Sequence, residues 1–119
     1  MAINWHICFI TFEFKINVMS STYAVIFSSK LKISIEGYQL IAQKIESLAK
    51  KQPGFLGMES VREGERGITI SYWDDLQSIK DWKHNPTHLE AQKQGKQRWY
   101  QSYQVRICHI EKSYSFEAL

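Results

Sequence analysis

His84 and His88 stand four residues apart, with Trp82, Gln92 and Trp99 around them. On one continuous helix this spacing aims both imidazoles the same way, which permits a shared metal ion. Pro86 lies between them and breaks such a helix, and the sequence offers no third His, Cys or carboxylate ligand nearby, so no metal site is expected. Imidazole proton chemistry remains. A His of ordinary pKa, ~6.5, accepts a proton near neutral pH, which makes His88 the first candidate for a catalytic base and His84 the second. His109 alternates with Cys108 along a strand and reads as a structural or surface histidine. His6 falls in an N-terminal stretch to which no role is given.

The helix after Pro86 carries His88, Ala91, Gln92, Gly95 and Trp99 at i, i+3, i+4, i+7 and i+11, which share one face. Gly95 costs a helix interior roughly 1 kcal/mol relative to Ala, so a packing reason is expected there. In one reading the small residues let the helix approach the sheet closely. In the other, a pocket between helix and sheet is lined by Trp82, His88, Gln92 and Trp99, with Tyr72 or Trp73, and Gln92 hydrogen-bonds what lies inside. Aromatic walls with a few polar groups suit a flat, hydrophobic or aromatic small molecule. There is no nucleophile elbow and no phosphate-binding loop, and Gly64 and Gly67 belong to a hairpin turn rather than a dinucleotide fingerprint.

The elements that must hold these residues follow from periodicity. Tyr23 to Lys32 is β-branched and aromatic, hence a strand. Ser34 is placed to cap the next helix, with Glu36 in its first turn. Tyr38, Ile41, Ala42, Ile45, Leu48 and Ala49 form its apolar stripe, and Pro53-Gly54 ends it. Phe55 to Glu63 and Gly67 to Trp73 form a hairpin about Gly64-Glu65-Arg66-Gly67. Asp74 and Gln77 have the form of a capping pair for a short helix carrying Leu76, Ile79 and Trp82. Asn85-Pro86 restarts a second helical piece that runs to about Tyr100, and Tyr103 to Tyr114 is the last strand. The order β-α-β-β-α-β, with the second helix broken, predicts an α+β, ferredoxin-like domain: a four-stranded antiparallel sheet with helices on one face.

The strands are apolar on both sides. Tyr23, Val25 and Phe27 oppose Ala24 and Ile26; Phe55 and Val61 are assigned against Leu56 and Met58; Val105 and Ile107 oppose Cys108 and Ile110. Helices cover only one face, so a second cover is needed. A second copy of the sheet, packed face to face as a homodimer, supplies it; the rival cover is residues 1–18.

The chain has 119 residues, one domain's worth. Apolar residues make up 44% and charged residues 23%, so the chain is not wholly disordered. No apolar run reaches the ~20 residues that span a bilayer, so no membrane partner is expected. Fifteen basic against 12 acidic residues leave a net charge of +3, too mild and too evenly spread to point to nucleic acid. Cys8 and Cys108 read as two thiols in a reducing cytoplasm, where the protein is expected to reside. Residues 1–18 lack the features of a signal peptide and read as an extension outside a single domain spanning 19–119, with translation beginning at Met19.

Taken together, GFLGMES (Gly54 to Ser60), GITISYW (Gly67 to Trp73), the Trp73-x8-Trp82 spacing and SIKDWKHNPTHLEAQKQGKQRWY (Ser78 to Tyr100) resemble the antibiotic biosynthesis monooxygenase (ABM) domain family. The resemblance spans roughly Tyr23 to Phe116 and implies a dimeric α/β barrel of two sheets. It further implies a cofactor-independent monooxygenase acting on a small aromatic or quinol-like substrate, in which Trp82 and Trp99 wall the pocket. The alternatives are a haem-binding or haem-degrading monooxygenase and a non-catalytic small-molecule-binding dimer. Haem degraders of the family use an Asn on the first strand, a Trp and a His. Trp82 matches that Trp, but Gln92 stands where their His falls, and the first strand offers Phe27, Ser28 and Ser29 in place of the Asn.

Overall fold

A computed structural model describes residues 22–119. The extension read at residues 1–18, with His6 and Cys8, lies outside the described residues. In chain order the elements are β1 (Thr22–Leu31), α1 (Tyr38–Ala49), β2 (Phe55–Glu63), β3 (Arg66–Trp73), α2 (Leu76–Lys83), α3 (Pro86–Gln94), a five-residue π turn (Gly95–Trp99) and β4 (Tyr100–Ile110). The strands form one antiparallel sheet in the order β2-β3-β1-β4. This is the α+β, ferredoxin-like arrangement expected from the sequence.

The helices cover one face. Ala49 of α1 and Ile79 and Trp82 of α2 close over Trp73, with Tyr23, Val25, Phe55 and Met58 packed around them. Trp73 is completely buried, and its indole Nε1 donates to Ser71 Oγ at 2.9 Å. Truncating a side chain of this size in a core costs about 3–5 kcal/mol, so the Trp73 cluster fixes where α2 sits.

Pairing defines the faces. Tyr23, Val25, Phe27 and Ser29 of β1 lie opposite Trp73, Ser71, Thr69 and Gly67 of β3, and opposite His109, Ile107, Val105 and Tyr103 of β4. These share the helix side. In β2 the sequence assignment needs correction. A bulge between Phe55 and Gly57 shifts the register, so Met58 pairs with Ser71 and joins Phe55 on the helix side, whereas Val61 pairs with Ile68 on the other. An extra residue in one strand reverses the alternation beyond it, which strict period-2 counting misses.

Neither face is fully covered by the described residues. On the open side Val61 is 72% and Ile68 44% exposed. On the helix side Val105 and Ile107 of the edge strand β4 are 47% and 52% exposed, so the helical layer stops short of β4 and leaves a trough beside it.

Element ends differ from the expected ones for local reasons. α1 starts at Tyr38 after Gly37, with no side-chain cap, rather than being capped by Ser34. Trp99 sets this start: its Nε1 donates to the Glu36 carbonyl at 2.9 Å. α2 is capped by Asp75, whose Oδ1 accepts from Ser78 N at 2.7 Å, because Asp74 is still tied to the strand end through its N–H on the Gly54 carbonyl (2.8 Å). Gln77 donates to Asp81 Oδ1 instead of returning to a cap. β4 begins at Tyr100, three residues earlier than expected, where Tyr100 pairs with Leu31 across a register shift, and ends at Ile110, opposite Thr22.

Gly54 closes the turn from α1 into β2 with φ +83°, and a Cβ there would overlap the Ser78 side chain. Backbone strain and steric overlap act together at this position. Gly54→Ala is expected to lower stability by about 2 kcal/mol and the melting temperature by about 10 °C in thermal unfolding; an unchanged melting temperature would contradict the left-handed turn.

Candidate functional site

Asn85-Pro86 builds the site. Pro86 occupies the first turn of α3, and Asn85 Oδ1 accepts from Thr87 N (3.0 Å) and His88 N (3.3 Å). A Pro in that position loses no helical hydrogen bond, and an Asn cap satisfies the free amides. The chain turns there, and the His88 ring stacks flat on the Trp82 indole, with centroids 4.2 Å apart and planes 15° from parallel. His88 Nδ1 lies 3.0 Å from the Trp82 carbonyl oxygen. A carbonyl only accepts, so Nδ1 carries the proton and donates, and the neutral ring keeps its lone pair on Nε2. Burial pushes the His88 pKa below its ordinary 6.5; the carbonyl contact, which favours the charged ring, opposes this without overcoming it. The result is an imidazole of fixed orientation that is neutral at pH 7.

The other candidates separate. His84 is exposed on the far side of the break, its Nδ1 2.8 Å from the Lys80 carbonyl, so the two histidines are not neighbours on one helix face. Gln92 donates Nε2 to the Lys83 carbonyl at 3.0 Å and closes the end of α2. Trp73 sits inside the core beneath Trp82. Tyr72 follows the strand alternation onto the open side, where its hydroxyl donates to Glu59 Oε1 at 3.0 Å; that bond to a carboxylate holds the phenol's pKa above its ordinary value. Tyr72 and Trp73 therefore line no common pocket in one subunit. Trp99 shares the helical stripe with His88 but lies eleven residues on, about 16 Å away at 1.5 Å per residue. It is buried against Tyr38 (5.8 Å, edge to face) and bonded to Glu36. His109 rests against Tyr23, with ring centroids 5.1 Å apart, which accords with its structural reading. Cys108 is a free, half-buried thiol.

Gly95 has the packing reason that its helical cost demanded. A Cβ there would come within 2.7 Å of the Tyr100 ring, so the missing side chain lets Tyr100 tuck beneath the π turn. Tyr100 meets Tyr38 (5.9 Å), Phe27 (5.4 Å) and Tyr103 (5.6 Å), and Phe27 meets Tyr103 at 5.3 Å. This four-ring wall stands at the Ser29 end of the helix side, and the cluster of Trp73 and Trp82 at the Tyr23 end. The Tyr23 row and the Ser29 row are six residue steps apart along β1, about 20 Å. The wall is the part of the site that sequence reading missed: Phe27, Tyr38, Tyr100 and Tyr103 come from three elements, and the one signal bearing on it is the 13% aromatic share of the chain.

Haem does not fit the residues present. Gln92, where the resemblance places the His of the haem degraders, has its amide nitrogen committed to the Lys83 carbonyl, and an amide side chain is a poor substitute for the imidazole that normally ligates haem iron. Among the described residues, no three His, Cys, Asp or Glu side chains are grouped so as to hold a metal ion.

Known proteins share this architecture. The antibiotic biosynthesis monooxygenase family model matches residues 36–94. YqjZ, an uncharacterized protein of Bacillus subtilis (strain 168), is 47% identical over 96 residues, covering 80% of this chain and 84% of its own. A mutant form of SnoaB, a cofactor-independent oxygenase from Streptomyces nogalater, superposes with a TM-score of 0.67 at 12% identity, over 77% of this chain and 95% of its own. A dimeric protein of ferredoxin-like fold from Bacteroides fragilis NCTC 9343 superposes with a TM-score of 0.56 at 17% identity, over 75% of this chain and 96% of its own. At those identities the two structures speak for the fold, while the family match and the sequence relative speak for descent: the chain belongs to the antibiotic biosynthesis monooxygenase family.

Proposed function

We propose that the protein is a cytoplasmic, homodimeric monooxygenase that oxidises a small aromatic or quinol-like substrate without metal, flavin or haem. The observation that carries this reading is the neutral His88, fixed by Nδ1 on the Trp82 carbonyl with Nε2 left as a proton acceptor. In this scheme the substrate lies in the helix-side trough and gives its phenolic proton to Nε2. The resulting anion is electron-rich enough to react with O2. One oxygen atom enters the ring carbon that becomes the second quinone carbonyl, and the other leaves as water with the ring hydrogen and the phenolic proton. The protein contributes orientation, a water-poor wall and the base. The description of SnoaB as a cofactor-independent oxygenase, on the same fold, is compatible with this chemistry.

Oxygen uptake against a panel of phenols and hydroquinones, with labelled O2 to follow the incorporated atom, tests the activity. Turnover with one labelled atom in the product is expected, and His88→Ala is expected to lower it about 100-fold or more. Because the folded His88 pKa lies below 6.5, the rate should be level at neutral pH and fall only on the acid side, below pH 6.5. Unchanged turnover in His88→Ala removes the assigned role. Ligand binding with no oxygen consumption would instead favour a non-catalytic binding module.

The dimer is drawn from the open face, where Ile26, Val61, Ile68 and Ile70 form an apolar patch bordered by Ser28, Glu59, Tyr72 and Arg106. Burying several hundred Å2 of apolar area on each partner is worth several kcal/mol at ~25 cal/mol per Å2, and the fold is dimeric in the Bacteroides fragilis protein. Sedimentation velocity at micromolar concentration should give twice the chain mass, for the full chain and for one starting at Met19. A monomer in both would overturn the assignment.

A further inference from the structure

Among the described residues, Arg62 is a helix-side cation to which the proposed function gives no role. Arg62 stands in the row Arg62–Gly67–Ser29–Tyr103 across the sheet. Gly67 makes room for it: a Cβ at that position would overlap the guanidinium, so the side chain crosses β3 and reaches β1. Nη2 donates to Tyr38 Oη (3.2 Å) and Ser29 Oγ (3.4 Å), and Nη1 donates to the Glu65 carbonyl (3.1 Å). The guanidinium carbon also lies 5.6 Å from the Tyr38 ring centre. A guanidinium has five N–H donors, so among the described residues three contacts leave two for a ligand. All three partners are neutral. Lys30 pairs with Glu65 and Lys50 with Glu46, and Arg62 belongs to neither ion pair.

We propose that Arg62, held by Tyr38 and Ser29 beside the rings of Phe27, Tyr100 and Tyr103, is a specificity-determining residue that receives an anionic oxygen, carboxylate or ionised phenol, on a planar aromatic ligand. The guanidinium fork suits such an oxygen, and an orientation fixed by three acceptors reduces the entropy lost on binding. The adjoining rings offer flat faces for stacking, at the end of a trough that β4 leaves half uncovered. Tyr100 itself stays uncharged: burial, together with the bond that it makes to Tyr38, pushes its pKa well above its ordinary value. The inference rests on the trough of the proposed function as a ligand site, and it requires no turnover.

Binding of naphthoate, of its neutral amide and of a dinitronaphtholate to the full chain, measured calorimetrically near neutral pH, tests it. Both anions, or one of them, should bind about tenfold or more tightly than the amide, and the stronger of the two identifies the oxygen type. Arg62→Gln should abolish the preference, and Arg62→Lys should restore part of it. Equal affinity for all three ligands overturns the proposal, as does a preference that survives in a folded Arg62→Gln protein. If that variant does not fold, the Arg62 Nε–H resonance of the unsubstituted protein decides: it should shift on naphthoate titration, and a stationary signal overturns the proposal. Anion preference without oxygen uptake would remove the proposed activity alone, and turnover without anion preference would remove this inference alone.

Discussion

The helix break at Asn85-Pro86 is the constraint on which the site depends. In an unbroken α-helix a residue six positions on is rotated by about 240° and raised by about 9 Å, so residues 82 and 88 could not face each other. Pro86 ends α2 by its ring and its missing N–H, and Asn85 restarts the helix by accepting two amides. The turn between them brings His88 flat onto Trp82 and points Nδ1 at the Trp82 carbonyl. Trp82 is in turn fixed by the core around Trp73. Orientation, tautomer and lowered basicity of His88 thus descend from two residues that have no chemistry of their own.

Missing side chains shape the other end. Gly95 lets Tyr100 tuck beneath the π turn, and Gly67 lets Arg62 cross β3. Trp99, which looked like a pocket wall, works as a tie: its indole fixes the start of α1, which carries Tyr38 onto Tyr100 and toward Arg62. Along the helix side the Trp73–Trp82 cluster stands at the Tyr23 end and a guanidinium among phenols at the Ser29 end, with half-uncovered apolar β4 side chains beside them.

Much of this was legible in the sequence. The strand and helix order, the stop at Pro53-Gly54, the restart at Asn85-Pro86 and the cost of Gly95 are local signals, and each corresponds to a feature of the structure. What escaped was set by tertiary contact. Trp99 on the Glu36 carbonyl overrode the Ser34 cap, and the Asp74–Gly54 bond moved the α2 cap to Asp75. The β2 bulge moved Met58 to the core side. The Arg62 cluster joins β1, α1 and β2, and no periodicity within any one of them announces it.

The most direct test of the central claim is the protonation state of His88, read from its imidazole nitrogen resonances in a 15N-labelled protein titrated from alkaline to acid pH. The structure predicts a neutral ring protonated on Nδ1, titrating below 6.5. A ring protonated on Nε2, or one that titrates at or above 6.5, would contradict the account.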